Sequence, residues 1–148
     1  MEQQVGSPVQ VMRVLKLAFL LSVFCFFYTM IEIPQALQQP VGHGVEVALT
    51  VVALACVAMG FLVPRYLDRS ARQKLEGKPA AAQLSWWMTK GILRLAYFEA
   101  CVLLGFALHF LGARFRLAVF LFGVGFLAML FANPGPPPSA EDGKLLRS

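Results

Sequence analysis

Glu99 is the residue whose setting most constrains its chemistry. It lies in the stretch Ile92 to Gly112 (ILRLAYFEACVLLGFALHFLG), an otherwise apolar run about as long as one bilayer crossing, ~20 residues. A carboxyl at that depth is costly, so it faces a protein interior and has one of two jobs. It either donates a hydrogen bond between helices as the neutral acid, or exchanges protons or ions along a pathway. On a helix, Ile92, Leu95, Ala96, Glu99, Val102, Leu103 and Phe106 share one face. Nothing on that face pairs the carboxyl. Arg94 points elsewhere, and His109 is ~15 Å further along the axis. The partner must come from another helix. At similar depth the candidates are Ser22 and Cys56, with Lys16 reaching down from the interface. A pathway normally shows polar residues in series. Ser22, Thr29, Thr50 and His109 are sparse, which favours the packing role.

Other reactive residue types do not assemble into a site. The three cysteines, Cys25, Cys56 and Cys101, each sit inside an apolar block, where they act as small packing residues. His43 and Glu46 have i,i+3 spacing, but a metal needs further ligands, so they read as solvated loop residues. No serine–histidine–acid set, phosphate-binding glycine loop or cysteine pair is present in the sequence. The expectation is therefore a non-enzymatic chain with no metal and no cofactor.

The elements that must position Glu99 follow from composition. Hydrophobic residues make up 58% of the chain and charged residues only 14%, against ~25% charged in soluble domains. The apolar residues fall in four blocks, at about 13–33, 45–64, 91–112 and 117–132. This predicts an all-α integral membrane protein, a four-transmembrane-helix bundle made of two antiparallel hairpins within residues 1–133. The first span is too long for a signal-peptide core and no small-residue cleavage site follows it, so it reads as a retained anchor. Pro64 ends the second span. RYLDRSARQKLEGK then carries that helix into water, until Gly77 and Pro79 break it. Trp86 and Trp87 are placed as interface anchors in an aromatic belt. Four residues, Ala113 to Arg116, join the third and fourth spans, which makes those helices antiparallel neighbours. The Pro-rich polar tail 134–148 cannot bury a core and reads as disordered.

The net charge is +5, and its placement argues against nucleic acid. Lys and Arg flank the apolar blocks, where they set topology and meet anionic headgroups. Of thirteen such residues, only Arg114 and Arg116 lie on the side opposite the long loop. The positive-inside rule then puts both termini in the cytoplasm. The partners implied are the lipid bilayer and either another membrane protein or a second copy of the chain.

A faint repeat links the hairpins. VLKLAFLLS (Val14 to Ser22) aligns without gaps on ILRLAYFEA (Ile92 to Ala100). Lys16 falls on Arg94, and Leu21 falls on Glu99.

LAYFEACVLLGFALHFLG, with Gly105 six residues after Glu99, resembles the ion-binding helix of the proteolipid (c) subunits of rotary ATP synthases. That resemblance implies a carboxyl that carries a proton or sodium ion. Proteolipids pair this helix with a glycine-repeat helix, and this sequence has none. The whole layout resembles small four-span bacterial membrane proteins of unknown function. It implies a fold and an inner-membrane location. The residues to follow are Glu99, Ser22, Cys56 and Gly105, with Trp86 and Trp87 as anchors.

Overall fold

Apolar, straight-chain and alanine-rich blocks favour helix, and in a bilayer a helix satisfies its own backbone groups. The computed structural model describes residues 8–32, 42–75, 79–133 and 135. Among the described residues all regular structure is helical: α1 (Pro8–Glu32), α2 (His43–Leu75), α3 (Ala80–Phe110) and α4 (Phe115–Phe131). Three of these, α1, α2 and α3, are long and apolar enough to cross a membrane. α4 is equally apolar in character but has 17 residues, or ~25 Å at ~1.5 Å per residue.

The helix starts differ from the expected spans at two places, α1 and α3. α1 begins at Pro8, where proline suits a first helical turn that has no N–H bond to lose. α2 runs from His43 to Leu75 with Pro64 inside it, so the helix carries past the apolar block as expected, although Pro64 ends the apolar span. Pro64 has no N–H, so the Gly60 carbonyl one turn back lacks its usual helical donor. α3 starts at Ala80, directly after Pro79, so the basic loop is largely helix. Gly77 and nearly all of the proline-rich tail lie outside the described residues.

The α3–α4 turn is tight, as its length requires. Gly112 adopts φ 77°, a conformation glycine takes without strain. The Gly112 and Ala113 amides donate back to the His109 and Leu108 carbonyls, which closes the helix end.

α3 is the hub. In its crossing stretch 39% of residues are buried, against 17% in α2 and 11% in α1. α2, α4 and α1 all pack on α3, whereas α1 and α2 form no packed pair. Of the two expected antiparallel hairpins, α3 and α4 pack on each other, while α1 and α2 each pack chiefly on α3.

Small residues let the backbones approach. A Cβ on Gly105 would lie 3.0 Å from the Ala118 carbonyl of α4. One on Gly125 would lie 2.9 Å from the Phe98 carbonyl of α3. Gly60 of α2 makes room for the Phe98 ring, 2.5 Å from a Cβ there. Phe98 is fully buried among α1, α3 and α4 side chains, with Val23, Leu95, Val102, Phe122 and Met129. This is the small-residue packing used where no hydrophobic effect drives helices together.

Candidate functional site

α1 meets α3 along one stripe. Phe19, Ser22, Val23, Phe26 and Met30 follow helical i, i+3, i+4, i+7 spacing and are buried or half-buried. Leu17, Leu21, Phe24 and Tyr28, on the other side, are each at least 58% exposed. Ser22 is therefore turned toward α3, and its Oγ lies 2.9 Å from Glu99 Oε1. Beyond it the Phe26 and Phe106 rings pack with centroids 5.1 Å apart.

Ser22 Oγ also lies 2.8 Å from its own helix's Phe19 carbonyl. A hydroxyl has one proton and cannot donate to both oxygens. The carbonyl can only accept. Both contacts are satisfied when Glu99 carries a proton and donates to Ser22, which donates in turn to Phe19. The arrangement is a short relay ending on backbone, of the kind that fastens helices in lipid.

Glu99 itself is half-buried, because it sits on the edge of the hub helix. Leu95 and Val102 on one side are buried, at 3% and 0% exposure. Ile92 and Leu103 on the other are each 41% exposed, and Ala96 is exposed too. That strip of α3 stays uncovered because α1 and α2 do not close over it. Among the described residues only Oε1 of the carboxyl has a hydrogen-bond partner.

The other expected site residues are not brought to Glu99. Cys56 lies within interaction range of Cys101, on the α2 side of α3. Cys101 in turn approaches the Leu121 carbonyl at 3.5 Å. Two positions along a helix is roughly a half-turn, so Cys101 and Glu99 face different ways. Gly105 is a packing point under α4 and not part of a carboxyl site. Lys16 does not reach down to Glu99. Its Nζ donates to the Leu130 and Ala132 carbonyls at 2.8 and 2.9 Å. Arg94 adds a bond to the Asn133 carbonyl at 3.1 Å. Two cations thus close the C-terminal end of α4, whose last carbonyls have no intrahelical donors and carry the negative pole of the helix. The repeat held the signal for this, since Lys16 and Arg94 are its aligned cations, each about one turn inside its span.

Trp86 is half-buried and Trp87 is 6% exposed, packed within the chain at the basic end. At the opposite end Glu46 accepts from the Arg114 amide at 3.4 Å and lies 3.7 Å from His43 Nδ1. This ties the start of α2 to the α3–α4 turn. Among the described residues no three His, Cys, Asp or Glu cluster as metal ligands. No protein-family model, no curated protein and no solved structure matches the chain.

Proposed function

We propose that the chain is a non-enzymatic, polytopic membrane protein that acts through helix packing and association with another membrane protein or a second copy of itself. In this reading α4 is a short fourth crossing. The cations Lys16 and Arg94 at one end and Arg114 and Arg116 at the other sit where long side chains snorkel to the interface. Both termini face the cytoplasm, by the placement of the basic residues.

One observation carries the reading. The Glu99–Ser22 hydrogen bond ends on the Phe19 carbonyl, a backbone group that passes no proton onward. It joins two helices and leads nowhere else. The uncovered strip of α3 beside it, with Ile92, Ala96 and Leu103, is where a further helix fits.

Glu99→Gln tests this, because glutamine keeps a donor and cannot ionise. In liposomes the substitution should leave ion and proton flux unchanged, with both proteins no leakier than empty liposomes. Flux through the wild-type chain that Glu99→Gln abolishes would overturn it.

That outcome belongs to a second reading, a proteolipid-like proton or ion carrier. It is favoured by the half-burial of Glu99 and by the free Oε2. Labelling of Glu99 by a hydrophobic carbodiimide, slowed by the transported ion, would support it. Labelling indifferent to ions would not.

A further inference from the structure

The basic end of the bundle holds a cavity of about 510 Å³, well inside the range of small-ligand sites, ~300–1,000 Å³. Its walls are the first turns of α1, the early part of α3 and the end of α4. Three cations line it, Arg13, Lys16 and Arg94, and among the described residues no carboxylate does. A neighbouring cavity of about 210 Å³ shows the contrast. There Lys90 is neutralised by Asp68, with both carboxylate oxygens at 2.9 Å.

Two of its lining residues also hold buried, unmet donors. Trp87, 6% exposed, lines it, and its indole Nε1 has no partner among the described residues. Arg94 Nε is buried and equally without a partner. Lys16 uses two of its three protons on the carbonyls of α4, and it lies close enough to Arg94 for the two charges to repel. A buried N–H without a partner costs ~1–3 kcal/mol. Donors and positive charge therefore converge where, among the described residues, only neutral backbone carbonyls at the end of α4 accept.

We propose that this cavity binds a phosphate oxyanion, and that its source is the headgroup of an acidic phospholipid. A phosphate diester offers several acceptor lone pairs and a negative charge, which meet the free N–H groups and relieve the repulsion between Lys16 and Arg94. The lipid source follows from the remaining wall. Val9, Met12, Leu95 and Leu130 give the cavity an apolar side, suited to a glycerol backbone and the start of an acyl chain. Free phosphate has no use for it. The site is distinct from the Glu99 pair, since Lys16 lies six residues before Ser22, ~9 Å along α1.

The test is native mass spectrometry and thermal unfolding of the full chain in neutral detergent. Phosphatidylglycerol, phosphatidylcholine and inorganic phosphate are added separately at equal ionic strength. The variants are Arg13→Gln, at an exposed side chain, and Trp87→Phe, which keeps an aromatic ring but removes the pyrrole half of the indole with its N–H. Phosphatidylglycerol should be retained and should raise the unfolding temperature by mass action. Phosphatidylcholine should do neither. Arg13→Gln should weaken phosphatidylglycerol binding about fivefold, as expected for one basic residue near anionic lipid. Trp87→Phe should weaken it as well, with lipid-free stability kept by at least one of the two variants. Equal retention of both lipids, or binding that neither variant weakens, overturns the site. The full effect from inorganic phosphate alone overturns the lipid source.

Discussion

Ser22 and Glu99 form the one side-chain hydrogen bond that crosses between α1 and α3 at mid-span among the described residues. Glu99 was conspicuous in the sequence because a carboxyl in an apolar run has few explanations. Ser22 was legible for a related reason, being one of few polar side chains at that depth. Cys56 was not separable from it by sequence. A thiol in an apolar block gives no sign of which way its helix is rotated, and the structure turns it toward Cys101. The residue-scale expectation follows from the geometry. Ser22→Ala should cost about 1 kcal/mol, the usual worth of an interhelical hydrogen bond in lipid. Glu99→Leu should cost at least as much, while Glu99→Gln should lose less than either. Reversible unfolding in mixed micelles measures all three. If Ser22→Ala is silent and Glu99→Leu is not, the carboxyl has some other partner.

Helix positions were readable because the four apolar blocks are long and unbroken, three of them long enough for a crossing, and the structure places a helix on every block. Helix faces were not readable. In a soluble protein the polar face marks the outside, but lipid-facing and core-facing residues are both apolar here. Leu21 and Glu99 occupy equivalent places in the repeat, yet Leu21 is 65% exposed while Glu99 is half-buried on the hub. The likeness of the two segments therefore did not foretell that α3 is central and α1 peripheral. Continuity past Pro64 was legible in the charged helical stretch that follows it, and proline is tolerated inside a helix where neighbouring helices hold the chain. The glycines give the element-scale test. Gly105→Leu and Gly125→Leu put side chains into facing backbone, and each should cost about 1–3 kcal/mol or more, as overpacking does. Gly123→Leu has open space around it and should be nearly neutral. Equal effects at all three positions would mean that α3 and α4 do not pack as described.

Seen as a whole, the chain keeps its charge at its ends. Most of its cations share the end formed by the starts of α1 and α3 and the ends of α2 and α4. Glu46, His43 and Arg114 mark the other. The sides are apolar, with large exposed side chains along α1 and α2 such as Leu17, Phe24, Val51 and Leu62. Such a surface requires lipid or protein around it. The gap between α1 and α2 adds a feature no composition count reveals, an uncovered strip of the hub helix next to Glu99. A photo-cross-linker at Ala96, on that strip, should capture a discrete protein adduct in native membranes. The same group at Leu21, on the outer face of α1, should give mainly lipid adducts. If the two positions behave alike, association does not use the strip.

Ser22 Oγ can keep both its contacts as hydrogen bonds only if the Glu99 carboxyl supplies the second proton. Infrared difference spectroscopy between the wild-type chain and Glu99→Gln, in bilayers at neutral pH, tests that most directly. The expected result is the carbonyl stretch of a protonated carboxylic acid, absent in Glu99→Gln and shifted in Ser22→Ala as its hydrogen bond is lost. Carboxylate stretches in its place, unmoved by Ser22→Ala, would contradict it.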